Sequence, residues 1–294
     1  PRSRAGLVLL HGAAMNGVPI SRRTCVLAAP AWGVAALGLP GCAHNEQPGS
    51  DTMTQAMRPI APETVPLGNE ADLATLWAAW QGNADALLRH AAASAWDASD
   101  CGLDAAMTDA ELAAFEREFK LPPQLRWLAT RARAWSFGWS GGYIVPDGLG
   151  PASVDGADHV WQINQELMAQ LQWWTTHHDT LRAGLSADVL GDALSREQWL
   201  QHMPFCQLGR GDLLTIDMRS HDPAQQVVRF FCHEQFNGPH EAVLAPDLFS
   251  FVSRWSSIGF IEDFEGFIED AGLAVQSSRA TAFRAWLMGP HSAS

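Results

Sequence analysis

Apolar residues recur at helical spacing between Asp72 and Ser94, where Leu73, Leu76, Trp77, Trp80, Leu87 and Leu88 share one side. The pattern predicts a helix broken near Gly82-Asn83. Asp97–Leu103 reads as a loop. Thr108-Asp109-Ala110-Glu111 is a capping box, in which the Thr and Glu side chains answer free amides at a helix start. That helix is expected to run through Leu112, Phe115, Glu116 and Phe119. Pro122-Pro123 then ends it and opens the next, with Leu125, Leu128 and Trp135 on one side. Gly138–Pro151 reads as a Gly-rich loop with a short strand at Tyr143-Ile144-Val145. His159–Trp174 looks helical, and Leu185–Trp199 is polar with helical spacing. The period then changes. Asp212–Asp217 alternates like a strand, Ser220–Ala224 is turn chemistry, and Gln226–Cys232 is a second strand, so the pair predicts a hairpin. Ala245-Pro246-Asp247 opens a strong helix with Leu248, Phe251, Val252, Trp255 and Ile258 on one face. The chain after Gln276 reads as a loose helix and tail. Helices grouped around a few consecutive strands predict an α+β fold with a mixed or antiparallel sheet flanked by helices.

The first 41 residues carry a different pattern. From Met15 a polar start with Arg22-Arg23 leads into an apolar stretch, Val26–Leu39, and then Leu39-Pro40-Gly41-Cys42. This is the layout of a signal peptide, with a basic beginning and a short apolar middle. Ser21–Leu27 resembles the twin-arginine export motif, and the last four residues resemble a bacterial lipobox, which makes Cys42 the candidate for lipidation. The expected organisation is upstream residues and signal over 1–41, a flexible tether over 42–68 with several prolines, a single domain over 69–275 and a tail over 276–294. The expected location is the periplasm, as a membrane-anchored lipoprotein, or the cytoplasm if residues 1–41 are not a signal.

Composition narrows the function. The 294 residues include 47% hydrophobic and 17% charged, enough apolar surface for a sizeable core. Basic residues number 19 against 32 acidic, for a net charge of −13, and Lys120 is the single lysine. Loss of residues 1–41, which hold four Arg and no acid, would leave −17. A broad footprint for nucleic acid is therefore not expected. Beyond the N-terminal stretch no apolar run is long enough to span a bilayer, so the membrane is expected to be met only through the lipid anchor. In an oxidising compartment Cys206 and Cys232 are candidates for a bridge, with Cys101 left over; three such cysteines make no metal pattern. Of the 13 Trp, a group at Trp135, Trp139, Trp161, Trp173 and Trp174 reads first as core and second as an aromatic contact surface.

The order of the pieces is more telling than any one of them. A capped helix with Glu111-Leu112-Ala113-Ala114-Phe115-Glu116 leads to Leu121-Pro122-Pro123-Gln124-Leu125-Arg126. Gly211–Asp217, Val227–Phe231, His233-Glu234 and a closing helix with Ala245, Leu248, Phe249, Phe251 and Trp255 follow. This ordered set, over residues 105–262, resembles the SMI1/KNR4 family of the SUKH superfamily. The long, Trp-rich stretch from Gly150 to His202 departs from the family pattern. The resemblance implies an α+β fold and protein binding rather than catalysis, without a cofactor. Bacterial members are commonly immunity proteins against toxins and fungal members are scaffolds. A protein partner, in particular a cognate toxin acting at the envelope, is therefore expected. Acidity suits a basic partner, since complementary charge speeds encounter. From acidity and loop or strand-end position, the expected contact residues are Asp147, Asp212, Asp217, His233, Glu234 and Glu241. Charge reversal there is expected to weaken binding and spare the fold.

Two alternatives carry chemistry. Gly138-Trp139-Ser140-Gly141-Gly142 matches the nucleophile elbow of hydrolases, and chain order allows a triad of Ser140, Asp217 and His240. His233 and His240 are too far apart for a zinc helix but could meet through a loop. His177-His178 is expected at a helix end. Asp212 and Asp217, five apart on a strand, are expected on opposite faces, one towards solvent. A cell-envelope scaffold is the remaining alternative.

Overall fold

Asn69 starts the first helix by accepting a hydrogen bond from the Asp72 amide (3.2 Å). The computed structural model describes residues 56–60, 65–146, 148–150, 153–177, 194–209, 211–232 and 240–290. Helix α1 (Glu70–Ala93) runs unbroken through Gly82-Asn83, against the expected interruption. The reason is tertiary. The Asn83 side chain is buried, accepts from Arg58 N (3.0 Å) and donates to Arg58 O (3.0 Å) and Ser256 Oγ (3.1 Å). An amide so satisfied no longer competes with its own helix. The same contacts hold part of the expected tether in place, where Met57 is buried in the core.

The segment read as a loop is strand β1 (Asp97–Leu103). Helix α2 (Asp109–Glu116) carries the predicted capping box in full, and α3 (Pro123–Ala129) starts with Pro at its first position. Trp135 belongs not to α3 but to strand β2 (Ala134–Ile144), which replaces the expected Gly-rich loop. Strands β3 (Ser153–Asp155) and β4 (His159–Gln162) follow, so only the second half of the expected His159–Trp174 helix is helical, as α4 (Gln165–Thr176). β2 is the hub of the first sheet. It pairs antiparallel with β1 on one side, and with β3 and β4 on the other.

After α5 (Arg196–Trp199) comes the second sheet, in the antiparallel order β5 (His202–Gln207), β6 (Leu213–Asp217), β7 (Val228–Phe231), β8 (Val243–Ala245). The predicted hairpin is β6–β7, with Leu213 opposite Phe231 and Thr215 opposite Arg229. Helix α6 (Leu248–Ser256), the short hairpin β9 (Ile268–Glu269)–β10 (Gly272–Leu273) and α7 (Ser278–Leu287) complete the chain order. Where a loose helix is expected, Ser278–Leu287 form a built one. Ser277 caps it, and Phe283 and Leu287 are fully buried. The described chain is thus α+β, with two four-stranded antiparallel sheets, a two-stranded hairpin and flanking helices.

Period-2 alternation explains both sheets. Along β2, Trp135, Phe137 and Trp139 point into the main core while Ser136, Gly138 and Ser140 lie on the other face. Along β6, Leu214 and Ile216 join the main core. Leu213 faces a second cluster with Phe231, Leu167, Leu171, Trp174, Leu194 and Trp199, supplied by α4, α5 and the residue leading into α5. Among the described residues, apolar side chains therefore cover both faces of the second sheet and one face of the first. Helix α6 is buried nearly all round. Its Ser253 accepts from Trp80 Nε1 (2.9 Å), and its start is held by two residues far apart in sequence. Asp247 Oδ1 accepts from Ser250 N (2.9 Å), while Gln124 of α3 accepts from Leu248 N (2.9 Å) and donates to Asp247 (3.2 Å). Among the described residues no helix is long and apolar enough to cross a membrane.

Candidate partner-binding face

The side of the second sheet that faces α4 and α5 holds a buried charge network. His202 and Asp217 are register partners on β5 and β6, and Arg229 lies on the neighbouring strand, all on the side of α4 and α5. Arg219 Nε donates to both Asp217 carboxylate oxygens (2.8 and 3.0 Å), its Nη2 pairs with Oδ2, and its amide donates to Oδ1 (3.1 Å). Arg229 Nε is 3.5 Å from Asp217 Oδ2, and its Nη1 donates to Glu241 O (2.8 Å). Glu241 sits in the left-handed region (φ 62°). Its carboxylate accepts from Trp199 Nε1 (2.6 Å) and Leu194 N (2.6 Å), with His240 Nε2 at 3.6 Å. Burial raises the Asp217 carboxyl, but the Arg219 hydrogen bonds and the His202 and Arg219 charges outweigh it and bring it down to about 2. Glu241 is likewise held below its ordinary value, the nearby His240 and the hydrogen bonds from Leu194 and Trp199 overcoming burial. Burial pushes His202 down to about 4, against the pull of Asp217.

The uncovered side of the first sheet is the opposite in character. Register places Asp97 and Asp155 on either side of Ser140, and Asp100 beside Gly138. A Cβ on Gly138 would lie 3.5 Å from Asp158 Oδ1 and 3.6 Å from Asp100 Cβ, so those two acids flank the glycine. His159 lies opposite Ser136, and Asp158 and Asp104 are close enough to oppose the burial that lowers its pKa. Asp97, Asp100, Asp104 and Asp158 are exposed. Asp100, Asp104, Asp155 and Asp158 have no ion-pair partner among the described residues. The negative field is felt inside the sheet as well: burial, Asp100 and Asp97 together push the Cys101 thiol up to about 11. Between Ala134 and Ser140 the middle strand contributes the small residues Ala134, Ser136, Gly138 and Ser140 to this face, so that stretch is low, with carboxylates along its sides.

The chain matches no family model, no curated protein and no solved structure.

Among the residues expected to meet a partner, Asp217 and Glu241 are brought together through Arg229, which reaches the Asp217 carboxylate and the Glu241 backbone carbonyl, but both face inward; Asp217 is ion-paired and the Glu241 carboxylate hydrogen-bonded within the fold, and their reversal would disturb the fold itself. Asp212, just before β6, is also buried, so the expectation that it or Asp217 faces solvent is corrected. Asp147, His233, Glu234 and Cys42 lie outside the described residues. Ser140 is exposed in the middle of β2, where an elbow needs a strand-to-helix turn. It belongs to the first sheet while Asp217 belongs to the second, so the expected triad does not assemble. Among the described residues no group of three or more His, Cys, Asp or Glu side chains is placed to hold a metal. Cys206 and Cys232 remain thiols. Strand β6 lies between theirs, and the Cys206 Sγ is directed at His159 O (3.1 Å). Four of the five grouped Trp are core. Trp173 is 48% exposed and stacks on His177, which caps the end of α4 as expected.

The acids of the first sheet are hidden in the sequence because Asp97–Leu103 and the stretch from Gly138 read as loops and Trp135 reads as part of a helix. A signal was present: Ala134-Trp135-Ser136-Phe137-Gly138-Trp139-Ser140 alternates small with aromatic over seven positions. Its glycines masked the strand.

Proposed function

We propose that this chain is a non-enzymatic protein-binding domain of SMI1/KNR4 type, an immunity protein that neutralises a toxin at the bacterial envelope, and that the outer face of the first sheet is its contact surface. The observation that carries the reading is the set of carboxylates Asp100, Asp104, Asp155 and Asp158, without an ion-pair partner among the described residues, beside the small residues of β2. A low acidic surface on a two-layer support suits a basic protein surface, for which charge gives rate and selectivity. The family-like pieces also work as one unit. Gln124 of the Leu-Pro-Pro-Gln step closes the start of α6, and the β6–β7 hairpin packs against that helix's cluster.

The test is capture of neighbouring-gene products on the immobilised chain, followed by affinity measurements on an Asp100→Lys/Asp158→Lys variant. The expected result is one bound, toxic product whose affinity falls by about tenfold or more in the variant, a loss of about 1.4 kcal/mol, with an unchanged melting temperature. No bound product, or equal affinity for both proteins, overturns the reading.

A further inference from the structure

We propose that β1 accepts an additional strand: an extended segment of a partner protein, with arginine or lysine at alternate positions, pairs with the open edge of the first sheet. This rests on the acidic-face reading above and adds to it a backbone mode of binding.

Strand β1 is at the end of the sheet order, and among the described residues it pairs only with β2. Asp100, Gly102, Leu103 and Asp104 are exposed along it, and a Cβ on Gly102 would meet nothing within 4 Å. Asp104 N donates to Ala134 O (3.0 Å), so alternation turns the amides of Cys101 and Leu103 away from β2, towards the open edge. Such a row of backbone donors and acceptors is a template for another strand.

Charge decides the occupant. A second copy of this chain would set Asp97, Asp100 and Asp104 against their own kind, and the bulge between Asp97 and Asp100 further disfavours self-pairing. A cationic segment changes the sign of each of those contacts. The two faces of the edge then specify alternation. Asp100 shares the outer face with Gly138, while Leu103, opposite Trp135, is on the inner face and is 43% exposed. An incoming strand with basic residues outward and apolar residues inward meets both, backbone pairing giving affinity and alternate side chains giving specificity.

The probe is a short peptide of alternating arginine and valine, titrated into the full chain while amide exchange is followed by NMR. The expected result is saturable binding with exchange at Cys101 and Leu103 slowed by about tenfold or more. A peptide with glycine in place of valine, equal in charge but a poor strand former, should bind more weakly. Two variants separate the layers of the proposal. Asp100→Lys tests the charge, and Leu103→Pro removes an outward amide without taking a bond from β2. Weakened binding in both, with the two amides protected in the parent chain, supports strand addition. Weakened binding in Asp100→Lys alone, with the amides unprotected, overturns strand addition and leaves the acidic face standing. No binding, or no effect of either variant, overturns both. If Leu103→Pro does not fold, the exchange result on the parent chain decides.

Discussion

His202 places Nδ1 2.8 Å from Gln198 O, and a carbonyl only accepts, so the proton is on Nδ1. Nε2 then faces the Asp217 carboxylate at 3.8 Å without a proton to share, while the positive charges of Arg219 and Arg229 resist adding one. Phe231 closes one side of the ring. The folded pKa of about 4 lies below the ordinary value of 6.5. Between those two values the unfolded chain carries a proton here that the folded chain does not, so stability falls as pH falls across that window, by about 3 kcal/mol. Urea denaturation should show that loss in the parent chain and a much smaller one in His202→Gln; equal losses would contradict this account. Asp217 acts in a lower window. Its stabilising contribution is complete above the ordinary carboxylate value and disappears as pH falls through about 2. Trp199→Phe keeps most of the packing but takes the indole donor from Glu241, a buried acceptor. It should lower stability by about 1–3 kcal/mol, measured by chemical denaturation at neutral pH. A change near zero would mean another donor replaces the indole.

Two glycines show how much an element's surroundings matter. Gly156, paired with Ile261, lies against Trp139, and a Cβ there would overlap the indole and crowd Phe137 O. Gly156→Ala should therefore destabilise by about 1–3 kcal/mol or more through overpacking. Gly82 lies within α1 with nothing within 4 Å of its Cβ position. Gly82→Ala should stabilise by about 0.5–1 kcal/mol, because alanine loses less freedom in a helix. Thermal melts of the two variants should move in opposite directions; a shift of the same sign would show that the space around one of these sites is not as described. The elements most legible in the sequence carry local chemistry: the capping box at Thr108–Glu111, Pro123 at a helix start and the turn between β6 and β7. The least legible are β1 and β2. Their glycines and acids are poor strand formers, and strand pairing rather than propensity makes them strands.

Across the whole molecule, charge is divided between two settings. On the α4/α5 side of the second sheet, Asp217 is ion-paired with Arg219 and Arg229, and the Glu241 carboxylate is hydrogen-bonded by Trp199 and the Leu194 amide. Those on the outer face of the first sheet project a field into solvent. With a net charge of −13, association with a basic partner should be fast at low salt. It should slow by about tenfold or more between low and physiological ionic strength, as screening shortens the reach of exposed charges to about 8 Å. Stopped-flow association of the captured partner would check this, and a rate independent of salt would argue for an apolar contact elsewhere.

The sequence by itself determined the α+β class, the capped helix, the proline step, the β6–β7 hairpin and the apolar positions of α6, because each is written in neighbouring residues or a short period. Only tertiary structure decided whether a given acid is a strut or a contact. Asp217 and Asp100 are both aspartates on strands, but Asp217 meets two arginines and a histidine brought from other positions, whereas Asp100 lies opposite a glycine and is exposed. Exposure and ion pairing depend on strand neighbours as far apart as Asp100 and Gly138, 38 residues, or Asp97 and Ser140, 43 residues, and no local pattern carries that information.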